Sequence, residues 1–208
     1  MKPASNFSKR PKKKSVNSSQ SGDIRIIGGR WRGRKLKVHS KEGLRPTTDR
    51  LKETLFNWLM MEIRDADVLD CFAGAGSLSF EAASRGARSV VCIEKDKLAA
   101  SQLKVNCQTL NATDQVHVIQ GDFFTACKSQ TEVFDLVFVD PPFHKDFVPK
   151  VMKALIAQEL VADQGLLYLE QESSARFDLA ASEWGAKFEL VKEKNAGQVS
   201  AQLFRYIG

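Results

Sequence analysis

From Asp67 onward the chain alternates short apolar runs with helical stretches, and this alternation restricts the fold more than any other feature. Val68-Leu69-Asp70-Cys71-Phe72, Ser89-Val90-Val91-Cys92-Ile93-Glu94, Val116-His117-Val118-Ile119 and Phe134-Asp135-Leu136-Val137-Phe138-Val139 all read as strands. Each is short, apolar and rich in β-branched or aromatic residues. The pattern predicts helices over 77–85, ended by Gly86, and over 97–110. The connection after Gly121-Asp122 is poorly defined. Residues 147–158 read as a helix with Pro149 in its first turn, and 165–171 as a further strand. Strand and helix alternating at this spacing mean a doubly wound, parallel sheet. The end differs, because 187–192 and 201–206 read as two strands joined through Asn195-Ala196-Gly197 with no helix between them. The expected fold class is therefore α/β: a doubly wound, Rossmann-like sheet, mostly parallel with an antiparallel last strand.

At 208 residues the chain is long enough for one well-packed domain and a small appendage. It is 43% hydrophobic and 27% charged, a globular rather than a disordered balance. No apolar run approaches the roughly 20 residues that span a bilayer, and the lysine-rich N-terminus has no apolar signal segment. The expectation is a cytoplasmic, monomeric protein without a membrane partner. Cys71, Cys92, Cys107 and Cys127 form no C-x-x-C pair and read as buried thiols. His39, His117 and His144 are scattered, so neither a metal site nor a Ser-His-Asp triad is expected.

The net charge of +6 conceals an asymmetry. Residues 1–50 carry fifteen Lys/Arg against three Asp/Glu, whereas 51–208 carry sixteen against twenty-two. A basic leading segment on an acidic body suggests a polyanion held at one end, RNA or DNA above all. Residues 1–22 read as a disordered basic tail, either a nucleic-acid tether or a solubilising terminus. In 23–45, Ile24-Arg25-Ile26-Ile27 and Leu36-Lys37-Val38 flank a basic, glycine-rich stretch, which suggests a β-hairpin extension. Its loop offers Arg30, Trp31, Arg32 and Arg34. An exposed Trp31 among arginines would stack on unpaired bases while the guanidiniums neutralise phosphates; the alternative is that Trp31 caps the core. Residues 46–208 form the main domain. It opens with a helix to about residue 61, capped by Thr47 or Thr48, with Leu51, Leu55, Phe56 and Leu59 as its apolar stripe.

Four carboxylates fall at predicted strand ends: Asp70, Glu94, Asp122 and Asp140. In a doubly wound sheet the carboxyl ends of the strands line the ligand crevice. Gly74 and Gly76 follow the first strand and permit a tight turn and close approach of a ligand to the backbone. A dinucleotide fingerprint would want glycine or alanine at position 79, where the chain has Ser79. At the fourth strand end stands Asp140-Pro141-Pro142-Phe143. Neither proline can donate to a ladder, and the first holds Asp140 extended. The result is a carboxylate, rigid carbonyls and an aromatic face at the crevice.

Asp70-Cys71-Phe72-Ala73-Gly74-Ala75-Gly76 with Glu94, Asp122 and Asp140-Pro141-Pro142-Phe143 resembles a class I S-adenosylmethionine-dependent methyltransferase that modifies exocyclic or amide nitrogens. Ile26-Ile27-Gly28-Gly29-Arg30-Trp31-Arg32-Gly33-Arg34-Lys35-Leu36, followed by Leu44-Arg45-Pro46-Thr47-Thr48-Asp49-Arg50, narrows the resemblance. It is to the bacterial small-subunit ribosomal RNA guanine-N2 methyltransferases of the RsmD type, over roughly residues 23–208. The resemblance implies S-adenosylmethionine as cofactor, held by Asp70, Phe72, Gly74, Gly76, Glu94, Asp122 and Phe123. It implies Asp140, Pro141 and Phe143 as the catalytic set, and Arg30, Trp31, Arg32, Arg34, Arg45, Thr47 and Arg50 as contacts to 16S rRNA, free or within the 30S subunit or its assembly intermediate. A DNA or protein-glutamine methyltransferase sharing the same motif, a nicotinamide-dependent dehydrogenase and a catalytically silent RNA-binding module stay open as alternatives.

Overall fold

A computed structural model describes residues 22–39, 49–142 and 147–208. The described chain begins with an antiparallel pair, β1 (Asp23–Arg25) and β2 (Lys35–Lys37), in which Ile24 faces Leu36. Helix α1 (Asp49–Trp58) follows. Then come β3 (Asp67–Asp70), α2 (Ser77–Ser84), β4 (Ser89–Glu94), α3 (Lys97–Leu110), β5 (Val116–Gln120), the single turn α4 (Phe123–Ala126) and β6 (Phe134–Val139). Helix α5 (Phe147–Ala157), β7 (Val161–Glu172), β8 (Phe188–Ala196) and β9 (Val199–Tyr206) complete it.

Seven strands form one sheet in the order β5-β4-β3-β6-β7-β9-β8. The first five run parallel, and β9 lies antiparallel to both β7 and β8. The order reverses between β3 and β6, which neighbour each other through the register pairs Leu69–Val137 and Asp70–Phe138. That reversal creates the crevice in which ligands of such sheets bind.

Alternation along the central strands divides the core in two. Val68, Val90, Leu136, Phe138 and Tyr168 face one cluster, which also takes Leu55 and Phe56 from α1, Leu59 from the turn after it, Phe80 from α2 and Leu103 from α3. Leu69, Val91, Val137, Val139 and Leu169 face the other, closed by Phe123 and by Val151, Met152 and Leu155 of α5. All four cysteines are free and buried, and burial pushes the thiols of Cys71 and Cys92 far above their usual range.

Several expected boundaries move. Strand β3 stops at Asp70 rather than Phe72 because the Asp70 carboxylate accepts the Phe72 N–H at 3.3 Å and turns the chain. Helix α1 ends at Trp58, and the turn after it leaves Met60 and Met61 exposed. The closing hairpin is longer than expected, with Ala196 paired to Val199 and Gly197 at φ 61 in the connection. Every residue of β8 after Phe188 is exposed, so this stretch has no buried face whose alternation could have marked its length.

The largest correction concerns Trp31. It is 8% exposed and belongs to the same core cluster as α1, α2 and α3. Its backbone N–H donates to Ser84 Oγ at 2.9 Å, and that hydroxyl donates onward to the Gly28 carbonyl at 2.6 Å. Gly29 at φ 72 lies so close to α2 that a Cβ would meet the Ser84 carbonyl oxygen at 1.9 Å. The N-terminal hairpin is thus docked on α2, and the indole is a core anchor rather than an exposed stacking surface.

Candidate active site

The crevice is organised by carboxylates that clasp backbone. After β3 the chain turns through 71–76 with Gly74 and Gly76 both left-handed, at φ 52 and 78. At Gly76 a Cβ would meet the Phe80 ring and Leu103 at 2.6 to 2.8 Å, so only glycine lets this loop enter α2. The Gly74 N–H donates to Glu94 Oε2 at 2.7 Å, and the Asp96 N–H to Glu94 Oε1 at 2.6 Å. One carboxylate therefore joins the loop after β3 to the loop after β4. Each of its oxygens retains a further lone pair, and Glu94 is only half-buried.

Asp70 is used differently. It is 2% exposed and accepts from Ser79 Oγ at 2.5 Å as well as from the Phe72 N–H. Burial raises its carboxyl from 3.8 to about 6; the Ser79 and Phe72 bonds oppose this, and the nearby Glu94 charge adds to it. Ser79, a mismatch to a dinucleotide fingerprint, is here the hydroxyl that satisfies a buried acid. The pair braces the glycine loop from beneath.

Asp122 caps α4 by accepting the Phe124 N–H at 3.0 Å, and its other oxygen accepts from Lys95 Nζ at 2.9 Å. The ring of buried Phe123 lies 5.5 Å from that of half-buried Phe72, and Phe72 lies 5.8 Å from Phe147 at the start of α5. Phe124 stacks on Phe147 at 6.0 Å and 19°. These four rings thus form one cluster that begins next to Asp122, in which Phe72, Phe124 and Phe147 are partly exposed, a surface suited to a flat, apolar ring.

Asp140 follows the last residue of β6, two residues beyond the partner of Asp70. It is half-buried, Pro141 is buried and Pro142 is exposed. The structure thus brings Asp70, Phe72, Gly74, Gly76, Glu94, Asp122, Phe123, Asp140 and Pro141 to one edge of the sheet. Phe143, Arg45 and Thr47 lie outside the described residues. Of the remaining arginines, Arg30 covers the Trp31 ring at 4.0 Å and donates to the Gln115 side chain. Arg34 donates to the Thr109 carbonyl at 3.1 Å. Arg32 and Arg50 are exposed, and among the described residues neither meets a carboxylate.

Sequence reasoning missed a second buried network beside this edge. Glu81 of α2 is fully buried; it accepts the Ile27 N–H at 2.8 Å and Arg85 Nε at 2.7 Å, and lies 3.8 Å from Lys52 Nζ. Lys52, itself buried, donates to the Arg25 carbonyl at 2.5 Å and to Ser77 Oγ at 3.3 Å. The hairpin, α1 and the first residue of α2 meet at this one ion cluster. The signal was present: Glu81 is the one charge within the run Leu78-Ser79-Phe80-Glu81-Ala82-Ala83.

A reversed parallel sheet with an antiparallel closing hairpin, a carboxylate-clasped glycine loop and an Asp-Pro-Pro strand end together define a class I methyltransferase. The family model described as Conserved hypothetical protein 95 matches residues 24–205, and the chain belongs to that family. It is 44% identical over 197 residues to the Haemophilus influenzae protein called Ribosomal RNA small subunit methyltransferase D, covering 93% of this chain and 99% of that one. It is 43% identical to the Escherichia coli protein of the same name, covering 92% and 94%. A solved Escherichia coli chain described as a methyltransferase, YhhF, superposes with a TM-score of 0.80 at 42% identity, over 89% of this chain and 99% of that one.

Proposed function

We propose that the protein transfers a methyl group from S-adenosylmethionine to the exocyclic N2 of a guanine in small-subunit ribosomal RNA. The observation that carries the reading is the juxtaposition, at one sheet edge, of the Gly74–Glu94 clasp and the Asp140-Pro141 strand end. The names of the relatives supply the substrate class.

The donor set fits the cofactor. Glu94 has accepting capacity left for the two ribose hydroxyls, Asp122 accepts from the adenine amino group, and the Phe123 N–H reads the ring edge. Phe72 packs against the adenosine, and the turn at Gly74 and Gly76 admits the amino-acid portion. Asp70 acts from below, holding the loop through Ser79 and the Phe72 N–H. When bound, S-adenosylmethionine supplies a methyl group on a positively charged sulfur.

An exocyclic guanine amine is a poor nucleophile because its lone pair is delocalised into the ring. Asp140 and the Pro141 carbonyl accept its two hydrogens and favour a pyramidal nitrogen whose lone pair faces the methyl. This is positioning and electrostatics, with Asp140 placed to take the proton that the nitrogen releases. Phe143 offers a stacking face for an extruded base, and Arg32, Arg45, Thr47 and Arg50 meet the RNA backbone.

Radiolabelled S-adenosylmethionine, incubated with the protein and either small-subunit particles or their RNA from cells lacking this protein, tests the proposal. The expected result is one labelled nucleotide, mapped as N2-methylguanine. Label in duplex DNA or in a glutamine peptide, with none in ribosomal RNA, overturns it.

A further inference from the structure

Helix α5 carries two charges that the chemistry above leaves unused. Lys150 and Lys153 are exposed and stand three residues apart, so they are neighbours on the helix surface. Lys128 is exposed in the 3-10 turn Cys127–Ser129 that follows α4. Together the three lysines rim an open groove of about 280 Å³, floored by Phe124, Cys127 and Ala154. Among the described residues no carboxylate pairs with any of the three. Like charges three apart on a helix repel each other. Residues 51–208 are moreover acidic overall, with sixteen Lys/Arg against twenty-two Asp/Glu. Unbalanced positive charge gathered at one groove of an acidic body suits an anionic partner.

The floor narrows the kind of anion. Partly exposed Phe124 stacks on Phe147, which joins the groove to the aromatic cluster next to Asp122. Cations around an aromatic face take the phosphates and a base of an unpaired strand; an acidic peptide would use the charge alone. Position points the same way. Ile24, Trp31, α1, α2 and α3 pack on one side of the sheet, while Phe123, Cys127 and α5 pack on the other. A strand of RNA crossing the crevice edge would meet Arg32 and Arg50 from the first side and the three lysines from the second.

We propose that the groove between α4 and α5 binds an unpaired segment of the substrate RNA flanking the target nucleotide. Lys128, Lys150 and Lys153 contact its phosphates and Phe124 offers a base a stacking face. The inference rests on ribosomal RNA as the substrate. It gives the protein a second RNA-binding surface, on the face of the sheet opposite the N-terminal hairpin.

The test uses the full-length protein and protein-free small-subunit RNA from cells lacking it. Lys150→Ala combined with Lys153→Ala removes two charges from the groove. Lys192→Ala combined with Lys194→Ala removes two exposed charges from β8, at the far edge of the sheet, and serves as the charge-matched control. Losing two phosphate contacts to a single strand lowers the slope of log K against log salt by about 1.4, the change expected for the groove pair. Lys128→Ala is expected to lower it by about 0.7, and the β8 pair to stay within about 0.3 of native. The groove pair should also raise KM for RNA about tenfold while kcat stays within about twofold. A groove pair whose slope equals that of native or of the β8 pair overturns the inference. So does a groove pair that binds protein-free RNA as native does but loses transfer on small-subunit particles, because an acidic protein segment is then the occupant. Native protein that transfers no methyl group to the RNA overturns the underlying reaction instead; the salt slopes, read without turnover, still decide the groove.

Discussion

Asp70 and Asp140 are both strand-end aspartates, yet their surroundings separate them. Asp70 is sealed beneath the glycine loop with its carboxyl raised to about 6, first by burial. The folded protein thus binds this proton more tightly than the unfolded chain, where the carboxyl titrates near 3.8. Stability from this group is therefore full below pH 3.8 and is lost as pH rises towards 6, a change of about 3 kcal/mol. Asp70→Asn, which cannot ionise, should gain on the native protein by up to that amount between pH 4 and pH 7.5. Urea unfolding at the two pH values measures it; a stability difference that does not move with pH would count against a buried, titrating Asp70. Asp140, half-exposed at the crevice, should behave as a reacting-centre residue. Asp140→Ala is expected to lower kcat by about 100- to 1000-fold, the scale of removing one aligned electrostatic partner. Its affinity for S-adenosylmethionine by calorimetry should stay within about threefold of native, since Glu94 and Asp122 are untouched.

Among the elements, α2 connects the cofactor crevice to the N-terminal hairpin. One side of it carries Ser79 under Asp70, while Glu81 and Ser84 hold Ile27, Gly28 and Trp31. Glu81→Ala would leave Lys52 and Arg85 without their buried counter-charge, and burial already lowers the proton affinity of Lys52. Removing one partner of a buried ion cluster costs about 3–5 kcal/mol. The variant should show that loss in urea unfolding, together with hydrogen-exchange deprotection over 23–38; an undiminished hairpin would show that its docking does not depend on Glu81. The strands and helices of the sheet were legible from sequence because period and burial agree there: Ser89–Glu94 and Lys97–Leu110 fall where the pattern puts them. The ends were less so. Strand β3 is cut short by a side-chain bond from Asp70, and β8 has no buried face to mark its length. For Trp31 both readings stay open in the sequence, because a tryptophan among arginines has the same local sequence whether it faces water or a helix. Only Gly29, packed against the Ser84 carbonyl, decides which.

Over the whole molecule, that docking redistributes the positive charge available to RNA. Of residues 1–50, a segment of net +12 on a body of net −6, the described arginines are not equivalent. Arg30 and Arg34 are tied to Trp31, Gln115 and Thr109 and steady the hairpin against the sheet. Arg32 and Arg50 are exposed without a carboxylate partner among the described residues. Sequence composition alone could not rank the four, since the ranking follows from contacts made with residues some 75 to 85 positions away. If phosphate neutralisation drives association, Arg32→Ala and Arg50→Ala should each weaken RNA binding uniformly across sequences. Each should also lower the slope of log K against log salt by about 1. Arg30→Ala should leave that slope nearly unchanged and lower thermal stability instead, because it strips a cation from the indole face and a donor from Gln115. Titrating labelled small-subunit RNA with native and variant proteins across a range of salt concentrations separates the two groups. Equal slopes for all four proteins would place the RNA path away from the hairpin and α1. A reduced slope for Arg30→Ala alone would mean that the docked arginine leaves the indole to meet a phosphate.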